Sequence, residues 1–218
     1  MFKKRREQRD LEARAALVEQ RRAELAQAEE SRRWAGLPVS TSTVQGVILK
    51  SDETAFLRVD GVAYIEPRRT PGKWTGGSSG VSVRVAKGLS YRAGRSKGTF
   101  VQGAEVPTPV DRGAFVVTNR RCIFVGEKRT TEWVYAKLVG FSLDGDGVAY
   151  FNVSNRQKTT GVYFGTELET RVDATIAGAI ARFQGPAQHA AVVAEFDQAV
   201  AEARSAVAEV ALPPPSVT

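Results

Sequence analysis

The chain has 218 residues, of which 42% are hydrophobic and 25% charged, with a formal net charge of +7. This is an ordinary globular balance, with room for one domain plus extensions or two small domains. One His (His189) and one Cys (Cys122) exclude an internal disulfide, a Cys/His zinc cluster and a catalytic triad drawing on a second His.

Charge falls into three blocks. Residues 1–36 hold ten basic and seven acidic groups, residues 37–165 hold 18 and ten, and residues 166–218 hold three and seven. The first block lacks Gly and Pro from Glu7 to Trp34 and is rich in Ala, Glu, Arg and Gln, so a helix is expected over 1–36. Leu11, Ala15, Val18 and Leu25 share one face at heptad-like spacing, broken by Arg22. Gly36 and Pro38 end it. Residues 37–43 form a linker.

The middle block changes period. Strands are expected over 44–50, 56–64, 81–86, 89–92, 99–102, 114–118, 121–126, 132–135, 138–143, 148–153 and 161–164. Gly and Pro make 67–80 a loop and 107–111 a turn. Asp144-Gly145-Asp146-Gly147 has hairpin-turn chemistry. It lacks the further oxygen ligands and terminal Glu of a calcium loop, so no metal site is read there.

Thr166 and Glu169 have the capping-box spacing, and Leu168, Val172, Ile176, Ile180 and Phe183 give the following helix one apolar face up to Gln184. Gly185-Pro186 stops that helix and starts a last one over 186–211. Its seam is Val193, Phe196, Val200, Ala203, Val207 and Val210. Such a seam needs cover, from the N-terminal helix, a second copy of the chain or another protein. Pro213-Pro214-Pro215 opens a tail over 212–218.

These elements give an α+β fold: an antiparallel β-meander that curls into a barrel or sandwich over 44–184, closed by an amphipathic helix, with helical extensions at both ends. The segments GVSVRVAKGLSYRAG (80–94), DRGAFVVTNRRCIFVG (111–126) and EKRTTEWVYAKLVGF (127–141), with the lead-in ILKSDETAFLRVDGVAYIEPR (48–68), resemble the bacterial pleckstrin-homology-like and GRAM-like domains. The resemblance covers about residues 44–184. It implies a PH-like barrel and a non-enzymatic binding module near membranes or in larger assemblies, and it transfers no binding residue.

No catalytic group emerges from the residues. Cys122 sits inside an apolar strand, and His189 lies on the stripe of the last helix. In GKWTGGSSG (72–80) the Lys precedes the glycines, the reverse of a phosphate loop. No enzyme activity and no cofactor are expected.

The candidate binding residues are cationic. Between Glu66 and Glu105 no acidic residue occurs, while Arg68, Arg69, Lys73, Arg84, Lys87, Arg92, Arg95 and Lys97 all fall in the gap. A single-sign stretch attracts phosphate, anionic lipid or an acidic partner, and it also suits a solvated strand face. Trp74 beside Lys73 suits a lipid headgroup level or a stacked base, or folds back over the barrel mouth. Arg120, Arg121, Lys128 and Arg129 flank one hairpin, placed to frame an anion pocket with Lys87, Arg92, Arg95 and Lys97, or simply to keep the hairpin ends soluble.

The expectation is therefore a module that binds a protein partner or an anionic membrane surface through a basic face, or self-associates through its last helix. A nucleic-acid-binding accessory protein using 68–97 and the basic N-terminus is the alternative. It is less favoured, because Tyr91 is the only aromatic between Arg84 and Lys97. A structural spacer between coiled coils is a third reading. No membrane-spanning segment or export signal is read. The expected location is the cytoplasm, with peripheral membrane attachment left open.

Overall fold

The computed structural model describes the backbone of residues 2–211, except 70–71, 79–80, 87–88, 94–95, 103–104 and 157, and the side chains of residues 8–68, 106–156 and 158–211. Eleven strands and three helices are seen in it. The core is a seven-stranded sheet built from β1 (Ala55–Arg69), β6 (Glu105–Thr118), β7 (Arg121–Gly126), β8 (Thr130–Val134), β9 (Leu138–Leu143), β10 (Val148–Val153) and β11 (Thr160–Tyr163). Its order is β8-β7-β6-β1-β11-β10-β9, and every described pairing is antiparallel. β8 and β9 are the two edges, so the sheet is open rather than closed.

The sheet curls nonetheless. Trp133 of β8 stacks on Phe151 of β10 at 4.5 Å, although four strands separate them in the sheet order. Gly61 sits at a register shift in β1 with φ +74°, a bulge conformation that lets the strand bend between its two partners. Between β1 and β6 the chain forms two further ribbons. β2 (Gly72–Ser78) pairs with β5 (Ser96–Gln102), and β3 (Val81–Ala86) pairs with β4 (Leu89–Ala93).

Helix α2 (Glu169–Gln184) packs on the sheet and is buried at every position from Val172 to Ala181. A helix covered all round lies between layers, and here the outer layer is α1 (Phe2–Ala35) and α3 (Pro186–Ala211). α1 runs alongside α2 through Gln27–Thr170, Arg171 over the Trp34 ring at 4.6 Å, and Ala35 against Gly178. A Cβ on Gly178 would come within 2.3 Å of the Ala35 carbonyl oxygen, so only glycine permits this approach. α3 lies antiparallel to α1. Arg32–Asp197 (2.5 Å), Arg204–Glu29 (2.8 Å) and Arg14 Nη2 to the Val210 carbonyl (3.1 Å) mark the contact.

The structure corrects several expectations. Residues 44–50 are not a strand. They form a turn, with Gly46 at φ +74°, whose Val44, Val47 and Leu49 pack on Ala55, Val116 and Ile123 in a second small apolar cluster. Their apolar pattern reflects that burial rather than a ladder. The expected loop at 67–80 and turn at 107–111 are largely strand. Pro67 stands opposite Pro107, and an antiparallel ladder tolerates proline where the N–H points away from the partner strand.

No capping box forms. Thr166–Leu168 is a 3-10 turn after Gly165 (φ +88°), and α2 begins at Glu169 without a side-chain cap. The inward stripe of α1 is also rotated from the expected one. Val18 and Leu25 face inward, but with Arg14, Arg21 and Ala28 rather than with Leu11, which is 69% exposed. Arg14 and Arg21 keep the spacing because long basic side chains lay their stems on apolar surface while their heads reach polar groups. The α3 stripe starts at Val192 and includes Phe196 and Val200, so the chain itself supplies cover for that seam. The proline tail at 212–218 lies outside the described residues. Among the described residues, no helix is long and apolar enough to cross a membrane.

Candidate functional site

The β6–β7 hairpin end is held by a buried charge network. Arg121 makes a forked pair with Glu53, Nε to Oε1 at 2.7 Å and Nη2 to Oε2 at 2.8 Å. It also reaches Glu132 at 2.6 Å and the Ile48 carbonyl at 3.1 Å. The Thr118 hydroxyl lies 2.8 Å from Glu53 Oε1 and accepts the backbone N–H groups of Arg120 and Arg121. Burial pushes the Glu53 carboxyl up, but hydrogen bonds from Arg121, the Lys50 N–H and Thr118 outweigh it and hold it below the ordinary range. Arg121 is therefore a structural cation and not a free binding group. The sequence signal for this was absent, because Glu53 sits in a polar SDET run that resembles a solvated turn.

Arg120 and Arg121 stand at one end of β7, and Lys128 and Arg129 at the other. They do not frame one pocket: a six-residue strand, roughly 20 Å long, separates them. Arg120 is paired with Asp52. The side chains of Lys73, Trp74, Arg84, Lys87, Arg92, Arg95 and Lys97 lie outside the described residues.

At the β7–β8 end, three segments distant in the chain meet at one mouth of the sheet. Arg129 pairs with Glu66 of β1 and lies over the Tyr64 ring at 5.4 Å. A groove of about 460 Å³ there is lined by Tyr64, Glu66, Thr131, Arg156, Lys158 and Thr160. Arg156 donates to the Glu132 carbonyl at 3.0 Å, and Trp133 Nε1 donates to Thr160 Oγ1 at 2.9 Å. Asp111 pins the β7–β8 turn by accepting the N–H groups of Lys128 and Arg129 as well as that of Arg112. Burial raises its carboxyl, and these three donors win, leaving it below the ordinary range.

The mouth thus gathers Arg129, Arg156 and Lys158 around Glu66, with Lys128 next to Arg129 in the turn and Arg68 two residues beyond Glu66 on β1, and neither Lys has an ion-pair partner among the described residues. Sequence reasoning missed Arg156 and Lys158. They sit in a polar turn after β10, reach β1 through β11, whose Gly161 stands opposite Ile65, and meet β8 through the curl of the sheet.

At the other end of β1 lies a second cleft, of about 600 Å³, between the β6–β7 turn, the end of α2 and the start of α3. Its walls are Leu37, Phe56 and Phe183 on the apolar side and Asn119, Arg120, Arg182 and His189 on the polar side.

The remaining singled-out residues take quiet roles. Cys122 is fully buried beside the Tyr135 hydroxyl at 3.5 Å, and burial pushes its thiol up to about 12, far from a nucleophile's range. Asp144 Oδ1 accepts the N–H groups of Asp146 and Val148, an Asx turn closing β9 on β10. Compared with known proteins, the chain matches no family model, no curated protein and no solved structure.

Proposed function

We propose that the chain is a non-enzymatic interaction module of the PH-like or GRAM-like type that docks on an anionic membrane surface through the basic mouth. Seven antiparallel strands followed by a single sheet-packed helix are the layout of that class, and they support the reading. The observation that carries it is the convergence of Arg129, Arg156 and Lys158 from two separate turns beside Glu66 of β1, with Lys128 and Arg68 next to them in the chain. The β2–β5 and β3–β4 ribbons leave β1 and β6 beside this mouth, and their sequence has no acidic residue before Glu105. Charge on one face, rather than a catalytic constellation, is what such a surface offers.

Each Lys or Arg near an anionic surface contributes about 1 kcal/mol, and the attraction fades beyond a Debye length of about 10 Å at 0.1 M salt. Lys128→Glu with Lys158→Glu is expected to weaken co-sedimentation with phosphatidylserine vesicles about 30-fold or more at low salt. Both side chains are exposed and neither forms an ion pair within 4 Å among the described residues, and since the Lys128 charge also acts on Asp111, thermal unfolding of the double variant checks that the fold is kept. Arg92→Glu, Arg95→Glu and Lys97→Glu should weaken it further. Unchanged sedimentation of the double variant removes the mouth from the binding surface. A wild-type chain that ignores such vesicles but retards RNA in a gel replaces this reading with the nucleic-acid one.

A further inference from the structure

The cleft at the β6–β7 end differs in kind from the mouth, and its lining carries an inference of its own. We propose that it binds a small organic anion, with a phosphate or carboxylate group on an apolar or aromatic body.

None of its ten lining residues is acidic, while Arg120, Arg182 and His189 all face into it. Two of those three are already partly engaged. Arg120 carries Asp52, and His189 Nε2 donates to the Ala35 carbonyl at 2.9 Å, which leaves Nδ1 as the ring's remaining polar atom. Arg182 is different: it is exposed on the last turn of α2, and its guanidinium has no ion-pair or hydrogen-bond partner among the described residues. Its planar fork of donors matches a carboxylate or phosphate with two parallel hydrogen bonds.

The rest of the cleft is preorganised. Asn119 is fixed by accepting the Thr54 N–H at 2.9 Å and donating to the Asp52 carbonyl at 3.0 Å. Phe183 is 40% exposed and braced edge-on against Tyr135 at 5.8 Å. With Phe56 and Leu37 it forms an apolar wall beside the unpaired guanidinium. About 600 Å³ suits a small ligand, and an apolar wall with a few convergent polar groups is the common make-up of such sites. A bare inorganic ion would leave that wall unused.

His189 is the single histidine of the chain, so its ring resonances report on this cleft alone. Titrating the full chain with phenyl phosphate is expected to shift and saturate them. Inorganic phosphate should bind several-fold more weakly, because it lacks the aromatic body. Arg182→Ala should weaken phenyl phosphate about tenfold or more, since hydrogen bonds to charged groups are among the stronger ones. It should leave the dispersed spectrum of a folded chain, because no described residue pairs with the Arg182 guanidinium and alanine keeps the backbone carbonyl that accepts the Gly185 N–H. Lys158→Glu, at the far mouth, should leave the titration unchanged while reducing vesicle binding, which separates this site from the surface-docking reading. Ring signals that stay fixed throughout the titration overturn the proposal, as does wild-type affinity in Arg182→Ala. Equal affinity for inorganic phosphate overturns the apolar-body requirement. Shifts produced only by vesicles bearing phosphatidic acid would assign the anion to a lipid headgroup and overturn the soluble ligand.

Discussion

Glu53→Ala is expected to destabilise the fold by about 3–5 kcal/mol, because it leaves the Arg121 guanidinium buried without its forked partner. Glu53 has no exposed side-chain surface, and Arg121 is 9% exposed. Losing Glu53 therefore leaves a nearly buried guanidinium with the half-exposed Glu132 as its remaining carboxylate. Equilibrium urea unfolding reads the loss as a lower midpoint at unchanged slope. Replacing both residues with apolar ones, Glu53→Leu with Arg121→Met, should cost far less, since no uncompensated charge remains. A double variant as unstable as Glu53→Ala would mean that the pair acts through Ile48 and Thr118 rather than through its own charges.

The same pair sets an acid limb. The Glu53 carboxyl is held below its ordinary range in the folded chain. Its contribution is therefore complete above the unfolded value of 4.5 and is lost as pH falls through the lower folded value. Wild-type stability should fall below about pH 4.5, and the Glu53→Leu, Arg121→Met chain should show a shallower decline there.

Trp133→Ala is expected to remove about 3–5 kcal/mol. Trp133 is 0% exposed and centres an aromatic cluster with Phe151 at 4.5 Å, Tyr64 at 6.0 Å and Phe115 at 6.3 Å. It is also the tie between the edge strand β8 and the other half of the sheet, through stacking on Phe151 and the hydrogen bond to Thr160. Truncation leaves a cavity where the curl is tightest, directly behind the basic groove. Trp133→Phe keeps most of the packing but leaves the Thr160 hydroxyl without its donor, a smaller loss of about 1–3 kcal/mol. Thermal unfolding should order the three proteins wild type, Trp133→Phe, Trp133→Ala. An alanine variant as stable as wild type would show that the β7 ladder and the contacts of Glu132 with Arg121 and Arg156 suffice to hold β8.

Much of the fold was legible because local rules and tertiary context agree there. Strands β7, β9 and β10 follow from short β-prone runs bounded by turns, and the Gly185-Pro186 break fixes where α2 gives way to α3. Legibility failed where a long-range neighbour changed what a residue meant. Pro67 and Pro107 read as loop signals until they are seen facing each other across a ladder. Residues 44–50 have strand-like hydrophobicity because they cover the outer side of the sheet.

Asp173 marks the same limit inside α2. On the sequence it only bounds the apolar stretch 174–181. In the structure it is buried, its Oδ1 has no hydrogen-bond partner, and desolvation pushes its carboxyl well above the ordinary range. A one-faced helix would have left it in water. The second covering layer, α1 and α3, makes the helix buried all round.

For the candidate sites, the sequence offered the cations but not their grouping. Arg120 and Arg121 look alike as neighbours, yet strand alternation sends one to the surface with Asp52 and the other into the Glu53 network. Lys158 and Arg129 lie far apart in the chain and share a mouth through the curl of the sheet. Arg182 looks like the basic end of a helix, and the turn into α3 is what sets it beside His189.

Amide hydrogen exchange of the full chain, with and without phosphatidylserine vesicles, tests the central claim most directly. Docking through the basic mouth predicts slowed exchange in residues 64–69, 127–131 and 154–160, with no change in 36–40, 119–120 and 182–189. Protection confined to α1 and α3, or to the cleft around Arg182, would contradict it.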